Sequence, residues 1–211
     1  AASGTFMEAC KDKRAWVLFV IYGGCFGVEL TMNNVAALYF TDYFDLGLKE
    51  AGIIAGLFGM MNIFARSLGG FMSDKFGIKY GLQGRVNWLG TALFLEALAL
   101  IIFSRTEWLP VAIMSLIVFS IFVQMSSGAT FSVVPFVNPK AVGSVSGIVG
   151  AGGNAGAVAA GFLFKGDLPW PDAFAILGAS VAVIATLIFL LRFPAEKPAQ
   201  QALGSLSDSV A

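Results

Sequence analysis

Histidine is absent from this 211-residue chain. Imidazole base catalysis, imidazole metal ligation and a histidine proton switch are therefore excluded. Cysteine is nearly absent. Cys10 lies in a polar segment and Cys25 in an apolar run, and the two form neither a metal-like spacing nor a disulfide framework. Charge is scarce: 12% of residues are Asp, Glu, Lys or Arg, against about 25% in ordinary soluble domains. The formal net charge is zero, which argues against a nucleic-acid partner. No nucleophile–base pair, metal cluster or phosphate-cradling loop can be assembled. The stretch GAGGNAG superficially resembles a dinucleotide loop, but it lies inside an apolar run, with no soluble strand before it and no acidic residue after it. The chain reads as a non-enzyme with no cofactor and no metal.

What is present is hydrocarbon. Hydrophobic residues make up 57% of the chain, mean hydropathy is +0.81, and the excess is gathered in long runs. This predicts an all-α, multi-pass integral membrane protein. Six transmembrane helices are expected, at about Ala15–Phe40, Ala51–Met72, Val86–Phe103, Leu109–Pro135, Ala141–Phe164 and Asp172–Leu191. Residues 1–14 read as the end of a cytoplasmic linker, and 193–211 as a disordered polar cytoplasmic tail. Because the chain opens on AASGTFMEACKDKR rather than on Met, a preceding part is expected. With both termini cytoplasmic, nine lysines and arginines fall on inner segments and only Lys49, Arg105 and Lys165 on outer ones. The positive-inside rule favours that orientation. Trp108 and Trp170 then mark the outer interface.

One cation remains inside a span. Arg66 sits in AGIIAGLFGMMNIFARSLGG with no carboxylate on its own helix. An arginine at that depth costs roughly 2.5–3.5 kcal/mol on insertion scales, so it is expected to face a protein interior or a water-filled path. Two readings follow. Either an anion visits it, or it pairs with a carboxylate or helix carbonyls elsewhere in the bundle. Other polar residues fall in stripes. Tyr22, Phe26, Glu29 and Asn33 share one face of the first span. Asn62 lies one turn before Arg66, and Ser120, Gln124, Ser127 and Gly128 cluster in the fourth span. Asn33, Asn62 and Gln124 are candidates for lining a polar path, and Glu29 for carrying a proton. Glu96, with no stripe around it, reads as structural or lipid-adjacent. In the fifth span, Gly143, Gly147, Gly150, Asn154, Ala157 and Gly161 form a small-residue face suited to close helix packing. Asn154 in its midst suggests a functional role as well.

The run Gly70-Phe71-Met72-Ser73-Asp74-Lys75-Phe76-Gly77-Ile78-Lys79 resembles the G-x-x-x-D-[RK]-x-G-x-[RK] loop motif of the major facilitator superfamily. Together with YGGCFGVELTMNNVAALYF, VQMSSGATFSVVPFV and GSVSGIVGAGGNAGAV, the chain is similar to the C-terminal half of nitrate/nitrite porters, above all the high-affinity nitrate transporters of plants, algae and fungi. The resemblance covers about Ala15–Phe164. It implies that the six spans are helices seven to twelve of a twelve-helix transporter built on a 3+3 repeat. Arg66 would match the eighth-helix substrate arginine and Tyr22 an aromatic residue lining the substrate. Gly150, Gly152, Gly153, Asn154 and Gly156 would match the glycine-rich signature. Gly70, Asp74, Lys75, Gly77 and Lys79 would form the conformational loop motif. The family's second substrate arginine belongs to a half not contained here.

The resemblance further implies nitrate or nitrite as substrate, proton symport in eukaryotic members, and nitrate–nitrite exchange in some bacterial ones. Implied partners are protons, the other six-helix half, the lipid bilayer (the plasma membrane) and an accessory subunit. The chemistry suits such a role. A guanidinium is planar, permanently charged and offers donors in a fixed fork to a flat oxyanion. Two alternatives stay open: a facilitator-type carrier for another small anion, and a non-transporting receptor or interaction module.

Overall fold

The structure, a computed structural model, describes residues 2–193. From residue 194 onward the expected polar tail lies outside the described residues. Among the described residues every regular element is helical: α1 (Ala2–Lys11), α2 (Lys13–Phe44), α3 (Leu48–Met60), α4 (Asn62–Ser104), α5 (Leu109–Val133), α6 (Val142–Gly161) and α7 (Trp170–Ala185). Short 3-10 turns extend the last three, at Val134–Phe136, Phe162–Phe164 and Thr186–Leu190. Residues 2–11 thus form a helix where a linker end is expected.

Five segments are long and apolar enough to cross a bilayer: Lys13–Phe44, Leu48–Ser104, Leu109–Phe136, Val142–Phe164 and Trp170–Leu190. The second has 57 residues. As one rod it would run about 85 Å at roughly 1.5 Å per residue, far beyond a hydrocarbon core of about 30 Å. It does not form one rod. At Gly81 the backbone takes φ 66°, ψ −163°, a region open essentially to glycine alone. Beyond it the chain returns along itself. Trp88 Nε1 donates to the Gly69 carbonyl at 3.1 Å, the Phe76 and Trp88 rings stack with centroids 5.3 Å apart, and Asp74 pairs with Arg85. The charged exit loop expected over SDKFGIKYGLQGR is therefore helical on both sides of a single glycine reversal. Falling hydropathy marks where a helix leaves hydrocarbon, and without proline nothing in that stretch obliges the helix to stop there.

The start of α2 is capped by Asp12, whose carboxylate accepts from Arg14 N at 2.9 Å and from the guanidinium at 3.0 and 2.7 Å. That partner holds the Asp12 carboxyl below the usual aspartate range. Its end is set by Asp45 in the left-handed region, φ 52°. Leu46 N then donates back to Phe40 O at 3.3 Å, satisfying a terminal carbonyl.

Helices in lipid gain little from hydrophobic association, so close backbone approach matters. Glycines supply it at two places. A Cβ on Gly152 would stand 2.1 Å from Phe19 O, and one on Gly156 2.4 Å from Gly23 O, which presses α6 onto α2. A Cβ on Gly128 would stand 2.0 Å from Arg66 O, which presses α5 onto α4. The small-residue face expected to pack is a different one. Gly143, Gly147, Gly150 and Gly161 have open space beside them, Asn154 is exposed, and only Ala157 of that set reaches α2. The reason is geometric: 152, 156 and 160 form a second four-spaced small stripe, and spacing alone does not choose between two such stripes on one helix.

Tyr39 centres an aromatic cluster with Phe103, Phe174 and Trp170, at centroid distances of 5.2, 5.1 and 5.8 Å. Trp170 is therefore held among rings, whereas Trp108 is 68% exposed, as an interfacial anchor would be.

Candidate functional site

The site grows from three helices. On α2, Tyr22, Phe26 and Glu29 follow one face. On α4, Asn62 and Arg66 are one turn apart. On α5, Gly128 lets the helix approach Arg66 O closely, and one turn before it Gln124 reaches the guanidinium. Arg66 Nη2 donates to Glu29 Oε2 at 2.5 Å. Gln124 Oε1 accepts from Arg66 Nε at 3.4 Å and from Nη2 at 3.2 Å. Asn62 Nδ2 donates to the other Glu29 oxygen at 3.3 Å. The Phe26 ring lies 5.2 Å from the guanidinium carbon, within cation–π range. Tyr22 stacks on Phe26 at 5.0 Å and meets Phe131 edge-on at 5.0 Å.

Of the two readings open for Arg66, the pairing one is what this conformation contains. The carboxylate comes from another helix, 37 residues away. The pair is lopsided: the Glu29 side chain is 3% exposed and that of Arg66 32%. Nη1 donates to no described residue. The arrangement is thus a buried carboxyl holding one edge of a partly exposed guanidinium, with Nη1 free of described partners and the Phe26 ring beside it. Chemically it can hold a second, flat anion, or exchange one anion for the other.

The remaining expected residues divide. Gly153 belongs with the aromatic pair, since a Cβ there would sit 2.5 Å from Phe26 and 3.0 Å from Tyr22. Gly152 and Gly156 are packing positions. Gly150 and Asn154 lie on the open face of α6, where the Asn154 amide donates only to Gly150 O, at 3.4 Å. Neither is brought to Arg66. Asn33 is exposed one turn beyond Glu29, beside Gly59. In the loop motif, Asp74 pairs with Arg85, and a Cβ on Gly77 would strike that arginine at 2.7 Å. Lys75 lies over Phe71 at 5.7 Å and Lys79 over Tyr80 at 5.0 Å. Gly70 faces open space.

Two features escaped the sequence reading. The Asp74–Arg85 pair depends on the reversal at Gly81, so no helical spacing announces it. Glu96 is fully buried, with Oε2 2.5 Å from Ser126 Oγ. It is not lipid-adjacent. The paired serines of VQMSSGAT were the available signal, because a hydroxyl at membrane depth seeks a polar partner.

The chain is 39% identical over 189 residues to nitrate transporter 2.2 of Chlamydomonas reinhardtii, covering 86% of this chain and 37% of that protein. It is 40% identical over 183 residues to high affinity nitrate transporter 2.7 of Arabidopsis thaliana, with coverage of 86% and 37%. It is 31% identical over 172 residues to the nitrate/nitrite transporter NrtP of Nostoc punctiforme, with coverage of 80% and 33%. The chain therefore spans about a third of the length of these relatives. The sequence profile of the Major Facilitator Superfamily matches residues 18–208, and on that match this membrane-embedded chain belongs to the major facilitator superfamily.

Proposed function

We propose that this chain is the C-terminal, six-crossing half of a nitrate transporter that also accepts nitrite and works by alternating access as a proton symporter. The observation that carries the reading is the Arg66–Glu29 pair with its free guanidinium edge. The names of the relatives supply the substrate. On this reading the segment Leu48–Ser104 crosses the membrane twice, α3 and the start of α4 forming one crossing and residues 82–104 the other, with the reversal at Gly81 on the cytoplasmic side. Both ends of the chain are cytoplasmic, the membrane is the plasma membrane, and an accessory subunit joins the assembly. The N-terminal half contributes the opposite wall of the site, and the two halves rock about it.

Arg66 holds either of two anions. At rest it is held by Glu29. A proton arriving on Glu29 releases the guanidinium, which then takes nitrate through its planar fork. Tyr22 and Phe26 sandwich the flat ion. Energetics favour such coupling: carrying one negative charge into a negative-inside cell costs about 2.3 kcal/mol per 100 mV, which two accompanying protons more than reverse.

The test is Arg66→Lys in the full-length transporter, with nitrate uptake measured at fixed pH. Loss of a charged, forked hydrogen bond of about 1.5–3 kcal/mol lowers apparent affinity about 10- to 100-fold. Uptake at the unaltered level would sink the substrate role of Arg66. Competition by chlorate, nitrite and formate separates nitrate from another small anion, and flux in liposomes separates a carrier from a non-transporting receptor.

A further inference from the structure

A second carboxyl lies buried in the same bundle, and its surroundings differ from those of Glu29. Glu96, on the second arm of α4, is 0% exposed. No described lysine or arginine pairs with it. Among the described residues, the titratable groups that act on it electrostatically are Cys25 and Glu29 of α2. From α5 it meets the Ser126 hydroxyl. The sole acidic residue of α7, Asp172, is engaged with Arg105 at the helix start.

Proton counting at Ser126 is informative. Its Oγ lies 2.5 Å from Glu96 Oε2 and 3.0 Å from the Val123 carbonyl. A hydroxyl has one proton and can donate to only one of these oxygens. With Glu96 ionised, one short contact would be between two lone pairs. With Glu96 carrying a proton, the acid donates to Ser126 and Ser126 donates to Val123, so both contacts are hydrogen bonds. A neutral acid also avoids an unpaired charge in a buried site.

The second Glu96 oxygen, Oε1, is buried with no described partner, as are Ser127 Oγ and Gln124 Nε2 on α5. Buried polar atoms are rarely left so, and an ionised carboxylate would leave Oε1 as an unsatisfied charged acceptor, whereas the neutral acid leaves only a weak carbonyl acceptor.

We propose that Glu96 is a second proton-binding site of the transporter, loaded as the neutral acid in this conformation and emptied at another stage of the cycle. The carboxyl takes one proton from water when the site opens to one side of the membrane and returns one to water when it opens to the other, and no electrons are transferred. That cycle rests on the proton-symport reading above, whereas the protonation of Glu96 does not.

Two measurements on the full-length protein test it. Infrared difference spectra at neutral pH should contain the carbonyl stretch of a protonated acid, lost in Glu96→Gln and retained in Glu29→Gln. In liposomes, Glu96→Gln should lower the number of protons moved with each nitrate by about one. A band that survives Glu96→Gln overturns the proposal. A band that is lost with an unchanged proton-to-nitrate ratio overturns the transport role and leaves a static acid. If the unaltered protein moves no nitrate, the transport reading fails, while the infrared band still reports the proton on Glu96.

Discussion

Arg66 cannot serve two anions equally, and in the proposed transporter that competition is the chemistry of the site. Glu29 already binds one edge of the guanidinium at 2.5 Å, so on the proposed function nitrate competes with a carboxylate that is tethered and 3% exposed. Protonation of Glu29 removes the competitor. Nitrate affinity should therefore rise as pH falls. In Glu29→Gln, where the amide cannot ionise, affinity should be high and independent of pH, and anion movement should no longer draw protons with it. Isothermal nitrate titrations across neutral and mildly acidic pH check this. Affinity in Glu29→Gln that still follows pH would assign the titration to another group. Arg66 is legible in the sequence because a lone cation breaks an apolar run. Its partner is not, because Glu29 is 37 residues away and the pairing depends on how α2 and α4 rotate against each other. The stripe of Tyr22, Phe26 and Glu29 gives the correct face of α2, but not what that face meets.

At the scale of elements, glycine decides where helices touch and where the chain turns. Gly81 holds a backbone conformation essentially closed to other residues, with no neighbour crowding its α-carbon. Backbone strain alone therefore fixes glycine there. Gly156 is the opposite case. Its backbone is ordinary helix, and Gly23 of α2 occupies the space a side chain would fill. Gly156→Ala should thus push α6 off α2 and cost about 1–3 kcal/mol, the usual range for overpacking, read as a lowered midpoint in thermal unfolding of the purified full-length protein. An unchanged midpoint would mean that the two backbones are not in contact. The helices themselves are legible from hydropathy, within a few residues at most ends. The charged stretch around Asp74 reads as a loop because polarity and helix termination look alike in sequence, although the membrane boundary determines the first and backbone stereochemistry the second.

At the scale of the whole molecule, the open face of α6 is the most informative surface. Among the described residues nothing lies beside Gly143, Gly147, Gly150 and Gly161, and Asn154 among them turns an amide outward. An amide whose one bond is a long contact to its own helix is costly when it faces hydrocarbon, and small residues at four-spacing suit a second helix better than lipid. Since the chain covers 37% of the length of its plant and algal relatives, material to cover that face exists in the proposed full transporter. We therefore expect the N-terminal half to lie against it during at least one stage of the transport cycle. Gly147→Cys in a full-length protein lacking its other cysteines should react quickly with a membrane-permeant maleimide in one conformation and slowly in the other, with nitrate shifting the balance. A matching cysteine on the partner half should cross-link to it. Rapid labelling that ignores nitrate, with no cross-link anywhere along the other half, would turn this face toward lipid and leave Asn154 without a partner in the transporter.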